Sequence, residues 1–289
     1  MKTITSAKTN RKAISIKILL YLIMIILAAI LLFPYLFMVS KSLMTSEEVV
    51  DPTIKLLPAV PNFSNYVEIF SNESYVSGFL HTMIIVGFNC VAVPISASVI
   101  AFSFAKLKWA GKNFMFAVML GTMMLPASVT QVALYGIYVR FGWINTLYPF
   151  TVPNLFGGGA LYIFLIRQFM LGIPRDIDNA AKIDGASALR RFIDIAFPLC
   201  KPVLVFVIVN VFIAYWGDYY GPLIYMRAST APKTLAQVVF ESSMEENAAT
   251  YNTHLRMVGG VIMSIVPAGV FAIFQRQLIE GVVMTGIKD

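Results

Sequence analysis

The chain has 289 residues, of which 58% are hydrophobic and 13% are Asp, Glu, Lys or Arg, with a mean hydropathy of +0.76. An ordinary soluble domain carries roughly 45–50% apolar and about 25% charged residues, so a single water-soluble core is excluded because too much apolar surface would face water. The excess of 22 basic over 15 acidic residues gives +7; with no basic-aromatic motif beside it, this charge argues for loops at an anionic membrane face rather than for nucleic acid.

Crossing a hydrocarbon core of roughly 30 Å takes about 20 apolar residues in a helix. Six stretches come near that length, 18–39, 79–104, 114–137, 150–166, 203–225 and 258–274. The sequence therefore predicts an all-α integral membrane protein with six transmembrane helices. Lys2, Lys8, Arg11, Lys12 and Lys17 precede the first stretch. Its apolar run exceeds a signal-peptide core and no A-x-A cleavage site follows, so it is expected to be kept as the first helix behind a tail of 1–17. With the amino terminus in the cytoplasm, 16 of the 22 basic residues fall on that side, six of them between Arg167 and Lys201. The positive-inside rule then puts both termini in the cytoplasm and the segment 40–78, with Glu47, Glu48, Asp51, Glu68 and Glu73, outside.

Several spans carry packing devices. Ala97, Ala101 and Ala105 recur every fourth residue, a small-residue face that lets a neighbouring helix approach. Pro94 and Pro126 are expected to kink the second and third spans, and Gly157, Gly158 and Gly159 to loosen the fourth. Kinked helices can line a cavity, although Pro and Gly are also common in plain membrane helices. Cys90 and Cys200 have neither disulfide nor metal spacing and read as small hydrophobes. His81 and His254 read as structural, and no metal site is expected. Asn89 and Asn210 are expected to bond to neighbouring helices.

The most patterned segment is 167–202, between the fourth and fifth spans. Pro174 suits the first turn of a helix, and Asp176 and Asp178 follow at the positive end of its dipole. Ile177, Ala180, Ala181 and Ile183 supply an apolar side. Asp184-Gly185 ends this helix, the glycine allowing a left-handed residue, and Ser187 can cap a second one. There Leu189, Phe192, Ile193 and Ala196 are expected to share a face, with Arg190, Arg191 and Asp194 pointing away. Two short helices at a sharp angle, with an apolar knob and a charged rim, have the form of a docking element.

These residues carry a resemblance to a known family. The segment resembles the EAA loop of ATP-binding-cassette (ABC) importer permeases, E-A-A-x-x-D-G-A followed by a Phe, an Ile and a Pro-Leu-x-x-Pro close. It matches at Ala180, Ala181, Asp184, Gly185, Ala186, Phe192, Ile195, Pro198, Leu199 and Pro202. Asn179 stands where the motif has its Glu, with Asp178 just before it; either Asp178 takes over that ATPase contact or the contact is weaker. PNFSNYVEIF (61–70), TMMLPASV (122–129), YWGDYYGPLIY (215–225) and the closing FQRQLIEGVVMTGIKD (274–289) are similar to carbohydrate importer permeases of the maltose-type second-subunit family.

That resemblance implies a type I ABC importer permease fold in a bacterial cytoplasmic membrane. Its parts are a cytoplasmic tail 1–17, a first helix 18–39, an outer loop 40–78, a permease core 79–274 with two short cytoplasmic coupling helices in 167–202, and a cytoplasmic tail 275–289. Its implied partners are a second homologous permease subunit, a dimer of ABC ATPase subunits, an extracytoplasmic solute-binding protein docking on 40–78, membrane lipid, and a carbohydrate of the oligosaccharide kind. Contact with the ATPase falls to Asp178, Asn179, Ala180, Ala181, Asp184, Gly185, Ala186 and Phe192, and in the tail to Gln275, Arg276, Gly281 and Gly286. The chain has no G-x-x-x-x-G-K-[ST] loop, so no cofactor and no enzymatic activity are expected of it, ATP and Mg being held by the partner ATPase. Asp218 is the one carboxylate placed inside a span. With Asn210, Tyr215 and Trp216 it forms the candidate substrate pathway, whose aromatics either stack on sugar rings or form an interfacial belt. A secondary active transporter of a small polar solute is the alternative, but it would need ion-coupling charges and leaves the 167–202 loop unexplained. An intramembrane aspartyl protease would need two facing Asp residues.

Overall fold

The structure, a computed structural model, describes residues 3–51, 53, 55–244 and 253–286. Among these every regular element is helical, and the chain divides into two units, residues 1–69 with 242–261 and residues 70–241 with 262–289.

In the first unit α1 (Thr3–Ser42) is one unbroken helix. Its apolar part, Ile16–Ser42, has none of its most apolar window buried, as befits Ile, Leu and Phe on every side of a helix whose solvent is lipid. The expected tail is thus helical from Thr3, and the span runs past residue 39. Beyond it, Asn65 on α2 (Ser64–Ser71) donates from Nδ2 to the carbonyls of Ser42 at 2.9 Å and Met44 at 2.8 Å. The hydroxyls of Ser42 and Tyr66 meet at 2.8 Å. The segment after α1 is therefore folded back onto the end of that helix by hydrogen bonds, those of Asn65 buried.

The second unit is built on α3 (Glu73–Lys106), which runs through Pro94 without a break. Ala97 and Ala101 are fully buried against Ile166 and Met170 of α6 (Ala160–Gly172) and Val207 and Val211 of α9 (Lys201–Trp216), so the small-residue face performs as expected. The third expected span is not one helix. It is α4 (Lys112–Thr122) and α5 (Ala127–Arg140), with Pro126 immediately before α5. Proline has no N–H to continue the ladder and its ring meets the carbonyl four residues back, so the expected kink is a full break. The fourth span departs too. A short helical turn, Tyr148–Thr151, leads into a 3-10 turn, Val152–Phe156, and α6 starts after Gly157, Gly158 and Gly159, all of positive φ.

The loop that follows contains α7 (Arg175–Ile183) and α8 (Ala188–Leu199), the latter bent by 75° from α9. The fifth span ends at Trp216; α10 (Tyr220–Tyr225) and α11 (Leu235–Met244) follow. The last helix, α12 (Thr253–Gly286), continues through the expected tail boundary at 275. Among the described residues four helices are long and apolar enough to cross a membrane, or five with the bent pair, and α4 with α5 lies where the third crossing was expected.

Candidate functional site

The 167–202 loop folds largely as its residues require. Asp176 and Asp178 lie in the first turn of α7, with Pro174 immediately before it, one position earlier than expected. Gly185 has φ +77°. Ser187 Oγ accepts from the Arg190 amide at 3.2 Å and caps α8. No residue of α7 is buried, and Asn179, Ala180, Asp184 and Gly185 are exposed while Ala181 and Ala186 are half-buried. The apolar knob is carried outward by Ile177, Ile183 (87% exposed), Leu189 (66%) and Ile193.

The face expected on the second helix is corrected. A π-turn over Phe192–Ala196 changes the register of α8, so Phe192 and Ala196 face the core while Leu189 and Ile193 face out. Phe192 packs on Phe102 with ring centroids 5.4 Å apart; it anchors the loop instead of presenting itself. Arg191, expected to point away, is 7% exposed, and its Nη1 donates to Asp178 Oδ1 at 2.7 Å across the gap between α7 and α8. Lys182 Nζ lies 2.5 Å from the other oxygen. Burial opposes ionisation of Asp178, but the Lys182 ammonium and the Arg191 guanidinium outweigh it and hold the carboxyl below the usual carboxylate range. Asp178 is thus an internal tie, and the side chain turned outward at the motif's Glu position is Asn179. The rim that remains is the exposed pair Arg190–Asp194, 3.2 Å apart. Of the tail residues, Gln275 and Arg276 are exposed on α12 and Gly281 and Gly286 lie in its last turns.

Among the candidate pathway residues, only Tyr215 joins a polar cluster. Asn154 Nδ2 donates to Asn89 Oδ1 at 2.9 Å and, at 2.5 Å, to the Tyr215 hydroxyl. Asn89 Nδ2 donates to the Phe150 carbonyl at 2.8 Å. Ser96 Oγ donates to the Asn154 carbonyl at 3.2 Å and accepts from the Gly157 amide at 3.1 Å. Backbone outside an α-helix is tolerated at membrane depth only where protein satisfies it, and α3 supplies those partners to the irregular stretch 150–159. A Cβ on Gly158 would lie 2.5 Å from Val93 Cγ1, so glycine is what lets this stretch lie against α3. Asn154 and Ser96 escaped the sequence reading; the available signal was a polar residue just ahead of three glycines in an apolar run.

The other pathway candidates are structural. Asn210 donates to the Phe206 carbonyl of its own helix at 2.8 Å, and not to a neighbouring helix as expected. Trp216 is 1% exposed, with Nε1 donating to the Met263 carbonyl at 2.9 Å, so it is neither in a belt nor open to a sugar. Asp218 lies past the end of α9 and its Oδ1 accepts from the Gly221 amide at 2.9 Å, which orders the start of α10. His81 Nδ1 contacts the Lys233 carbonyl at 3.0 Å.

Long apolar helices, irregular backbone held at membrane depth by protein side chains, and an exposed helical loop between two spans define a polytopic membrane protein. Residues 95–283 match the family described as binding-protein-dependent transport system inner membrane component, and the chain belongs to that family. It is 27% identical to the galactooligosaccharides transport system permease protein GanQ of Bacillus subtilis, over 93% of this chain and 94% of that protein. It is 30% identical to the sn-glycerol-3-phosphate transport system permease protein UgpE of Brucella suis biovar 1, over 92% and 95% respectively. The fold is that of a chain in the crystal structure of a bacterial ABC transporter involved in import of the acidic polysaccharide alginate, with TM-score 0.75 and 22% identity over 92% of this chain and 97% of that one.

Proposed function

We propose that this chain forms half of the translocation pathway of an ATP-driven importer for an oligosaccharide. It pairs with a second homologous permease, is driven by a dimer of ABC ATPase subunits on the side of the 167–202 loop, which is the cytoplasm, and receives substrate from a binding protein outside. Six helical crossings, with α4 and α5 together as one, and cytoplasmic termini complete this reading. The observation that carries it is α7: a helix with no buried residue, showing Ile177 and Ile183 outward while Asp178 is tied to Arg191 behind it. A packed apolar side chain moves with the pocket it fills, whereas an exposed ion pair contributes about 0–1 kcal/mol. Closure of the ATPase dimer on ATP, through the differential affinity of the nucleotide for the closed state, would then rotate the permease halves as rigid bodies. Asn179, in the place of the motif's Glu, makes the outward polar contact, and Gln275 and Arg276 a second one.

The test is co-purification followed by reconstitution. An ATPase and a second permease should accompany this chain in detergent; a secondary transporter would come out without them. Ala181→Asp and Gly185→Val should reach the membrane normally yet uncouple uptake from hydrolysis, the first by placing a charge in the contact and the second by straining a φ of +77° in open space. Unimpaired uptake by both would sink the assignment. Glycerol phosphate is a second substrate reading, favoured by the 30% identity to a relative named for it. Stimulation of ATPase activity across oligosaccharides and sn-glycerol 3-phosphate separates the two.

A further inference from the structure

A cavity of about 420 Å3 opens between the end of α3 and the base of α7. Five cations line it, Lys106, Lys108, Lys112, Arg175 and Lys182, against one carboxylate, Asp178. That carboxylate is already bound to Arg191 and Lys182. Lys106 Nζ donates to the Ile173 carbonyl at 3.2 Å and Lys112 Nζ to the Leu107 carbonyl at 2.9 Å. Neither of them, nor Lys108 nor Arg175, forms an ion pair among the described residues. Outside the lining, Arg167 adds positive charge near Lys112: its Nε is buried without a partner and its guanidinium lies 4.0 Å from the Phe116 ring centroid.

Confining like charges without counterions is unfavourable, and an anion with several acceptor oxygens relieves it. The surroundings select the source of that anion. A second cleft shares Leu107, Lys108 and Lys112 with the cavity and leads to Trp109 and the exposed Phe114, an apolar surface that a free phosphate has no use for and an acyl chain does. We propose that the cavity binds the phosphodiester head group of an anionic phospholipid from the adjoining leaflet, with its chains along Phe114. Basic pockets beside membrane helices suit such head groups. The site rests on the importer reading for one consequence only, that the bound lipid braces the base of the coupling helix.

The full chain, purified with whatever subunits accompany it and stripped of lipid in detergent, should bind phosphatidylglycerol over phosphatidylcholine by about fivefold or more in native mass spectrometry, as expected where several charges select the head group. Lys108→Gln with Lys112→Gln should abolish that preference, and Lys108→Arg with Lys112→Arg should keep it, which separates lost charge from lost fold. Equal retention of both lipids by the wild-type chain, or an unchanged preference in the Gln variant, would overturn the site. Inorganic phosphate at millimolar concentration displacing the lipid in full would overturn the lipid assignment. Whether an ATPase accompanies the chain is read in the same preparation and bears on the importer reading alone.

Discussion

The exposed loop 167–202 and the irregular stretch 150–159 use polar side chains in the same way under opposite solvents. In the loop, Asp178 and Arg191 cross from one helix to the next. In the stretch, Asn89, Asn154 and Ser96 hold backbone that has left the helix. Hydrocarbon offers no substitute partner for the second set, whereas water competes for the first, so only its half-buried member is worth much. The lesson is that these paired polar residues fix shape, while the large side chains the loop turns outward, Ile177, Ile183, Leu189 and Ile193, are apolar. Substitutions in the stretch should therefore act on stability, and substitutions in the loop on coupling.

The largest effect is expected at Gly158. Gly158→Ala combines a φ of +62° with a Cβ at 2.5 Å from Val93 Cγ1, strain and overlap that together amount to about 3 kcal/mol or more. Membrane yield and thermal stability in detergent should fall sharply. Adding Val93→Ala should recover part of the overlap, since it removes the contacts at 2.5 and 2.6 Å but keeps the Val93 Cβ at 3.1 Å, and it leaves about 1–2 kcal/mol of backbone strain. A stable Gly158→Ala protein would show that the stretch does not lie against α3. Next comes Asn89→Leu, which removes two buried hydrogen bonds, to the Phe150 carbonyl and from Asn154 Nδ2; Asn154 Nδ2 still reaches the Phe150 carbonyl at 2.9 Å and the Tyr215 hydroxyl, so the loss should be about 1–2 kcal/mol, read by the same melting experiment.

Arg191→Ala moves the comparison to the loop. Lys182 and water still serve Asp178, so the loss is smaller than for a fully buried pair, about 1–2 kcal/mol and local to the loop. The chain should insert and melt nearly as the wild type does, while uptake per ATP hydrolysed falls by about tenfold if the contact weakens by about 1.4 kcal/mol. Transport assays in proteoliposomes check this. Loss of the whole protein from the membrane would instead place Arg191 with the stretch, as a residue of the fold.

Much of this was legible in the sequence because it follows from local rules. The Ala97–Ala101 face, the glycine stop at Gly185 and the Ser187 cap each depend on a few neighbouring residues. What was not legible depends on partners distant in the chain. Arg191 reads as solvated because helical periodicity turns it away from Phe192, and the π-turn that rotates it inward has no local signature. Trp216 reads as interfacial because Trp is common there, until Met263, 47 residues on, is seen to accept its N–H. Asn154 lies in a stretch whose apolar average hides a helix break, and its partners come from α3.

The smallest effect is expected at Asp194, and it tests the comparison most sharply. Asp194 forms an i,i+4 pair with Arg190 at 3.2 Å on the outer side of α8, with both side chains more than half exposed. Such pairs are worth about 0.3–0.5 kcal/mol and are screened by salt. Asp194→Asn should therefore leave melting temperature and coupling within error of the wild type at physiological ionic strength, in the same proteoliposomes that report a fall for Arg191→Ala. If instead Asp194→Asn uncouples as strongly as Arg191→Ala, the charged rim carries the contact with the ATPase, and the apolar side chains of Ile177, Ile183 and Leu189 are not what transmits the rotation.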